Sequence, residues 1–236
     1  MAVSACDAAS APILSALLAS NAGYDAMIAS VILAAGSASR MGKPKQLLPL
    51  GGRPMVWWAA NAACRAALGQ VIVVTGAYGE EVSRALADLA VSVAVNPHWQ
   101  SGQAASLKAG LATVDRQAVA VMYLLADQPL IPAAVLQDIA RAYYAGQGSI
   151  VAPVFQGQRG NPVLFDLNRW REDLLTLQGD CGAREILRTH PTELGCVPVD
   201  APHYFLDADT EEDYQTILRH WQDDLIDERN ASRFCK

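Results

Sequence analysis

The sequence has few cysteines, a deficit of basic residues and no long apolar run, and each shortage excludes a class of protein. Its five cysteines form no C-x-x-C motif, which argues against a disulfide framework or zinc site and favours a reducing, cytoplasmic location. Acidic residues outnumber basic ones by 24 to 18, so the chain lacks the positive field that nucleic-acid binding needs. No stretch is long and apolar enough to suggest a membrane span.

Basic residues are also missing from the N-terminal region, where the first is Arg40. A secretory signal requires a basic segment before its apolar stretch, so we expect none here. The hydrophobic content of 52% is sufficient for a sizeable core. We expect residues 1–26 to form an extension, residues 27–222 the compact domain, and residues 223–236 a charged tail.

Apolar strand patterns alternate with helical patterns along this central part. We expect strands at residues 28–35, 71–74, 91–95, 119–125, 150–153, 162–165, 194–199 and 204–206. We expect helices at residues 55–68, 80–89, 104–111, 132–144, 169–175, 183–187 and 210–221. Such alternation is typical of βαβ units. It predicts an α/β fold, a Rossmann-like three-layer sandwich with a mostly parallel, mixed central sheet.

The first strand runs into a loop of small residues that starts at Gly36 and is followed by Arg40 and Lys45. Small residues allow backbone N–H groups to approach a ligand closely, and a loop after a strand can turn several of them inward. The two cations suit a polyphosphate. The loop therefore predicts an anion site, most simply for phosphate.

Two common phosphate-binding motifs do not fit this loop. The Walker A pattern fails because the glycine spacing is one residue too long and Pro44 replaces the Ser or Thr that would reach Mg²⁺. The dinucleotide pattern G-x-G-x-x-G fails because Ser37 and Ala38 follow Gly36. A metal that accompanies the phosphates must therefore be held elsewhere.

Acidic residues after two later strand patterns could hold that metal. Asp127 ends an apolar strand, the position at which ligands bind in open α/β sheets, and carboxylates are natural Mg²⁺ ligands. Asp207 or Asp209 could complete the site. The simpler alternatives are a turn residue for Asp127 and helix N-terminal carboxylates for the other two.

The residues from Leu33 to Pro49, with Gly36, Arg40 and Lys45 among them, resemble the nucleotide-binding signature of the MobA-like nucleotidyltransferases. Leu-Ala-Asp-Gln-Pro at 125–129 is also similar to that superfamily. Three further motifs resemble the molybdenum cofactor cytidylyltransferase branch: Arg-Gly-Asn-Pro at 159–162, Gly-Asp-Cys-Gly-Ala-Arg at 179–184 and Asp-Ala-Asp-Thr at 207–210. The guanylyltransferases usually carry Gly-Gly where this chain has Ala35-Gly36.

The resemblance implies a fold like that of the nucleotide-diphospho-sugar transferases and a role for each matching residue. The implied nucleotide-binding residues are Leu33, Ala34, Ala35, Gly36, Ser37, Arg40, Lys45, Thr75, Gly76, Gly102 and Ser106. The implied catalytic residues are Arg40, Lys45 and Asp127, and those facing the second substrate are Arg159, Asn161, Asp180 and Arg184. Mg²⁺ would be bound by Asp127 and Asp209, although Asp207 is equally suitable on chemical grounds.

The activity implied by the resemblance is Mg²⁺-dependent transfer of CMP from CTP to a molybdenum-pterin cofactor, with release of pyrophosphate. A xanthine-dehydrogenase-type molybdoenzyme would be the downstream partner. Two alternatives stay open at this point. One is guanylyl transfer, or transfer to another phosphorylated acceptor. The other is a binding protein that carries the cofactor to a partner without turnover.

Overall fold

The central sheet begins with the strand that leads into the glycine loop. A computed structural model describes residues 27–37, 44–180 and 182–234, with side chains up to residue 222. In chain order the strands are β1 (Met27–Ala34), β2 (Pro49–Leu50), β3 (Arg53–Pro54), β4 (Val71–Thr75), β5 (Ser92–Val95), β6 (Ala118–Leu125), β7 (Ile150–Phe155), β8 (Gln158–Arg159), β9 (Val163–Asp166) and β10 (Leu194–Pro198).

Helices follow most of these strands. They are α1 (Met55–Ala66), α2 (Gly79–Ala85), α3 (Gln103–Thr113), α4 (Ala133–Tyr144), α5 (Leu167–Thr176), α6 (Arg184–Thr189) and α7 (Glu211–Phe234). Short 3₁₀ turns lie at Lys45–Leu47, Trp99–Ser101, Pro191–Glu193 and Pro202–Phe205. Within the described residues, no helix is both long enough and apolar enough to cross a membrane.

The strand order in the main sheet is β10-β7-β9-β6-β1-β4-β5, with β8 paired to β7. β1 lies between β6 and β4 and is parallel to both. β9 is antiparallel to both of its neighbours, β6 and β7. The predicted mostly parallel, mixed sheet is therefore confirmed. Strands β2 and β3 form a separate hairpin that the sequence patterns did not predict.

Alternating residues of each strand face opposite layers, as the pleat of a sheet requires. Along β1, Ile28 and Ile32 pack with helices α1, α2 and α4, whereas Ala29 and Val31 pack with α3, α5 and α6. All four of these side chains are fully buried. The sheet thus lies between two helical layers, which confirms the three-layer α/β sandwich.

The C-terminal helix α7 packs on a third apolar cluster, next to the β2–β3 hairpin. Ile217 and Tyr214 from α7 are buried there together with Leu50 and Ala208. The Tyr214 hydroxyl donates a hydrogen bond to the carbonyl of Pro49. Thr210 and Asp213 exchange capping hydrogen bonds at the start of the helix. Packing in this cluster holds the segment around residues 207–210 next to the β2–β3 hairpin, which follows the glycine loop in the chain.

Two sequence-based expectations for this C-terminal region were wrong. Residues 204–206 were expected to be a strand, but Pro202–Phe205 forms a 3₁₀ turn. Pro202 at the start fixes φ, and the Leu206 N–H donates to the His203 carbonyl. The final helix was expected to end near Trp221, but it continues to Phe234.

Candidate functional site

A cavity of about 510 Å³ opens where β1 and β6 end side by side. Leu33 and Leu125 are paired in register at this end, and the Ala126 N–H donates to the Leu33 carbonyl. The lining residues are Leu33, Ala34, Ala35, Gly36, Ser37, Lys45, Gln46, Trp99, Gln100, Gly102, Gln103, Ser106, Leu125, Ala126, Asp127 and Asp180. Its volume is that of a typical small-ligand site.

The glycine loop forms one wall of this cavity. Residues 34–37 and Lys45 line it as predicted. The loop is held by Gln46, whose Nε2 lies 3.2 Å from the Ala34 carbonyl oxygen and 3.1 Å from that of Gly36. Arg40 lies outside the described residues, so its predicted contact with phosphate stays a prediction.

The N-terminal end of α3 forms the opposite wall. The loop at residues 178–180 lies against it: the Gln103 N–H donates to Asp180 Oδ1 at 3.3 Å and the Ala104 N–H to the Gly179 carbonyl at 3.0 Å. Gly102 has φ of +98°, and a Cβ there would lie 2.5 Å from the carbonyl carbon of Gly179. Only glycine fits this close approach, so residue 102 must be a glycine for the loop at residues 178–180 to pack against α3.

Ser106, one turn into α3, is buried and accepts a hydrogen bond from the Asn96 side chain at 3.0 Å. Asn96 in turn accepts one from the His98 N–H at 2.9 Å. This small network places Trp99 at the cavity wall.

Thr75 and Gly76 do not line the cavity but lie behind it. Thr75 is fully buried, and its hydroxyl has no hydrogen-bond partner. A side chain at Gly76 would collide with the Ala35 carbonyl and the Trp99 side chain, at 2.6 and 2.7 Å. In this structure both residues support others that face the cavity, and their predicted role near the nucleotide stays a prediction.

Three carboxylates meet beside Lys45 at the mouth of the cavity. The Ala208 N–H donates to the Asp127 carbonyl at 3.3 Å, which brings residues 207–209 alongside the end of β6. The side chain of buried Gln128 donates to Asp207 at 2.7 Å. Lys45 forms a salt bridge with Asp209. The structure thus brings together the acidic residues that the sequence offered as metal ligands.

Burial, together with the charge of neighbouring carboxylates, raises the pKa values of two of these groups. Burial and the nearby charge of Asp207 raise the pKa of Asp127 to about 6, against the lowering effect of Lys45. Burial likewise raises the pKa of Asp207, although the hydrogen bond from Gln128 lowers it. Uncompensated negative charge of this kind is what a bound cation would relieve.

The acidic group is suited to a metal shared with a ligand. Among the described residues, no set of three or more His, Cys, Asp or Glu is arranged to hold a metal on its own. Mg²⁺ in phosphate-transfer sites commonly takes only one or two carboxylates, and its other ligands are phosphate oxygens and water. Asp127 with Asp209 or Asp207 matches that donor set.

A small cleft of about 50 Å³ adjoins the cavity and shares Leu33, Gln103 and Leu125 with it. Asn161 and Arg184, predicted to face the second substrate, line this cleft. Asp180, from the same predicted group, lines the main cavity instead.

Arg159 is exposed on the short strand β8. The adjacent Gly160 lies against the ring of Phe205, where a Cβ would be only 2.2 Å away. This contact brings the β7–β8 hairpin next to the turn that precedes Asp207.

Several site residues were missed from the sequence. Gln46, Trp99 and Gln100 line the cavity, and Gln128 donates a hydrogen bond to Asp207. Gln46 and Gln128 lie inside motifs in which the predictions were made for the glycine or charged members. Their signal is a polar side chain directly beside a predicted ligand residue, as with Gln46 after Lys45 and Gln128 after Asp127.

Comparison with known proteins assigns the family. The MobA-like NTP transferase domain matches residues 30–194, most of the chain. The chain belongs to the MobA-like NTP transferase family. The glycine loop, Lys45 and Asp127 all lie inside the matched region. We therefore describe it as a nucleotidyltransferase of the MobA-like type.

Two relatives align along nearly their whole length. Nicotine blue oxidoreductase of Paenarthrobacter nicotinovorans is 28% identical over 198 residues, which cover 81% of this chain and 96% of the relative. The crystal structure of Rv0371c from Mycobacterium tuberculosis has a TM-score of 0.74 and 30% identity, covering 83% of this chain and 99% of that one. Rv0371c has also been solved as a complex with manganese, with a TM-score of 0.69 and 29% identity over 82% of this chain and 98% of that chain.

A nucleotidyl transferase from Methanothermobacter is also similar in structure. It has a TM-score of 0.73 and 26% identity, over 83% of this chain and 98% of that one. Relatives of this one fold therefore include both a transferase and an oxidoreductase, so the family alone does not specify the reaction or its second substrate.

Proposed function

We propose that this MobA-like protein transfers CMP from CTP to the terminal phosphate of a molybdenum-pterin cofactor and releases pyrophosphate. The observation that carries the proposal is one cavity lined by the glycine loop, Lys45 and Asp127, with Asp209 paired to Lys45 and Asp207 near enough to act on the pKa of Asp127. That is the combination of an anion site and a divalent-cation site that nucleotidyl transfer requires.

In this reaction an oxygen of the acceptor phosphate attacks the α-phosphorus of CTP. A new P–O bond forms, the bond between the α-phosphorus and its bridging oxygen to the β-phosphate breaks, and pyrophosphate leaves. The protein has little covalent work to do beyond alignment and charge neutralisation. Lys45, and Arg40 by the resemblance, would neutralise the charge that develops on the leaving pyrophosphate.

Mg²⁺ would be held by Asp127 and Asp209 together with phosphate oxygens, and would supply charge stabilisation at the reacting phosphate. In this structure Asp209 is paired with Lys45. Nucleotide binding would give Lys45 a phosphate partner and make Asp209 available to the metal. The structural relative Rv0371c has been solved as a complex with manganese, which supports divalent-cation binding by this chain.

The acceptor would approach the main cavity from the side of the small cleft, which at about 50 Å³ could receive only one of its groups. Arg184 lines that cleft and also lowers the pKa of Asp207 through its charge, so it is close enough to act between the acceptor and the acidic group. Asn161 adds a neutral hydrogen-bonding group. A phosphorylated acceptor that enters from this side would approach the nucleotide beside Asp127.

The preference for CTP rests on the motifs of the cytidylyltransferase branch, in particular Ala35-Gly36 in the loop. The partner that receives the product would be a xanthine-dehydrogenase-type molybdoenzyme.

The test is an assay of pyrophosphate release with each of the four ribonucleoside triphosphates, Mg²⁺ and purified molybdenum-pterin cofactor. We expect release from CTP only when the cofactor is present. Release from GTP alone would replace the proposal with guanylyl transfer. No release from any nucleotide, with the cofactor still bound, would favour the carrier. Because one relative is an oxidoreductase, a parallel arm with a reduced nicotinamide nucleotide and an oxidised dye tests for electron transfer instead.

A further inference from the structure

Gln46 is a buried polar side chain next to the glycine loop, and it shares the lining of the cavity with that loop. It is only 5% exposed and lies on the 3₁₀ turn directly after Lys45. Its single Nε2 group lies 3.2 Å from the Ala34 carbonyl oxygen and 3.1 Å from the Gly36 carbonyl oxygen. An amide NH₂ has two hydrogens, so it can serve both acceptors at once.

These two contacts fix the orientation of the peptide groups that line the cavity. In a trans peptide the C=O and the following N–H point in opposite directions. With the carbonyls of Ala34 and Gly36 held toward Gln46, the N–H groups of Ala35 and Ser37 point away from it. Both of these residues line the cavity. Backbone N–H groups presented to a common space attract an anion, and these two belong to residues on the cavity wall.

We propose that Gln46 is a positioning residue for the triphosphate: it holds the Ala35 and Ser37 N–H groups in the orientation that binds phosphate. The inference rests on the proposed function only in taking a nucleoside triphosphate as the ligand of this cavity. Gln46 also immediately follows Lys45, so the same contacts fix the base of the side chain that pairs with Asp209.

The chemistry of the position is specific to an amide. A glutamate of the same shape would place a carboxylate against two carbonyl oxygens. A methionine would keep nearly the same length and volume but supply no donor. In either variant the peptide groups of the loop could rotate away from the phosphate-binding orientation, at little cost to the apolar packing around residue 46.

The test compares Gln46→Met with wild type and with Gln137→Met. Gln137 is the matched control, because it is a partly buried glutamine whose Nε2 donates to the Ala66 carbonyl at 3.4 Å, on helix α4. The probes are inorganic triphosphate with Mn²⁺, measured by calorimetry, and cytidine, measured by NMR titration. Loss of the two hydrogen bonds should weaken triphosphate binding by roughly 10-fold. Cytidine affinity should stay within about two-fold, and Gln137→Met should change neither.

Two outcomes would overturn the proposal. One is triphosphate binding by Gln46→Met equal to that of wild type. The other is a parallel loss of triphosphate and cytidine affinity, since that pattern would mean that Gln46 supports the cavity as a whole rather than its phosphate-binding amides. If Gln46→Met does not fold, Gln46→Glu provides the same comparison, with a larger expected loss of triphosphate because its charge also opposes the anion.

Binding of inorganic triphosphate does not depend on the base or on turnover, which separates this proposal from the proposed reaction. If the wild type binds triphosphate, loses it on Gln46→Met and yet transfers no nucleotide, the positioning role stands and the proposed function fails. If the wild type releases pyrophosphate from CTP while Gln46→Met binds triphosphate normally, the function stands and the role of Gln46 is wrong.

Discussion

The two halves of the candidate site are held in place by different forces. The nucleotide half, at the ends of β1 and β6, is fixed by backbone hydrogen bonds of parallel strands on both sides of β1. The acidic segment at residues 207–209 belongs to no strand. Ala208 is buried in the apolar cluster under α7 and donates its N–H to the Asp127 carbonyl, while the acidic side chains have polar partners, Gln128 for Asp207 and Lys45 for Asp209.

This difference determines how each half responds to charge. Backbone ladders do not depend on the ionisation of side chains, so the glycine loop and β6 should keep their places whatever is bound. The carboxylates of the acidic segment are paired with Lys45 and Gln128. A bound cation would compete for these carboxylates, and a phosphate would compete for Lys45. Lys45 and Asp209 join the two halves across 164 positions of the chain. Substitutions on the two sides of this junction should therefore have separable effects.

The largest expected effect is that of Asp127→Asn, which removes the carboxylate on the rigid side. Loss of a central metal ligand should lower nucleotidyl transfer by on the order of 10³-fold. The same change should stabilise the metal-free protein. The pKa of Asp127 rises from 3.8 to about 6 on folding, so its ionised form destabilises the folded state.

The pH dependence of this gain has a definite sign. Between about pH 4 and pH 6 the folded protein holds a proton on Asp127 that the unfolded chain releases, so the free energy of unfolding falls as pH rises through this window. The full cost, about 1–3 kcal/mol, is present above pH 6. Asp127→Asn should therefore gain that amount in thermal unfolding at pH 8 without metal, and almost nothing at pH 4. The exposed Asp200→Asn is the control; a stability gain equal at both pH values would contradict this account.

Sequence reasoning succeeded on the rigid half for a physical reason. Buried parallel strands require continuous apolar runs, and a loop that approaches an anion requires small residues, so β1, β6 and the Gly36 loop were all predicted from local composition. The three-layer arrangement followed from the alternation of strands and helices.

The acidic segment at residues 207–209 was harder to predict, because its contacts are made between side chains that are distant in the sequence. Nothing in the sequence near Gln128 indicates that it will meet Asp207, and the aromatic run before Leu206 resembled a strand although Pro202 starts a 3₁₀ turn. Sequence offered Asp207 and Asp209 as equivalent ligands. The structure distinguishes them by their partners, an amide for one and an ammonium for the other.

An intermediate effect is expected when the two acidic residues are compared directly. Asp209→Asn should weaken Mn²⁺ binding in the presence of nucleotide by about 10-fold or more, since it removes a proposed ligand. Asp207→Asn should weaken it by less than about three-fold, because its oxygen can still accept from Gln128 and its charge acts only from a distance. Mn²⁺ electron paramagnetic resonance measures both affinities. The reverse order would make Asp207 the ligand and leave Asp209 as the partner of Lys45.

The smallest effect should also be the most informative about the junction. Lys45→Gln removes the cation that pairs with Asp209 in the free protein, where the two side chains are 19% and 49% exposed. An ion pair of this exposure contributes about 0.2–1 kcal/mol, so the affinity for Mn²⁺ alone should rise by about two- to five-fold. Affinity for CTP should fall, because the substitution also removes the ammonium group that is proposed to bind the phosphates. Mn²⁺ binding without nucleotide that is unchanged or weakened by Lys45→Gln would mean that Lys45 does not compete with the metal for Asp209. In that case the two halves of the site would be neighbours in the fold, but the Lys45–Asp209 ion pair would not couple metal binding to phosphate binding.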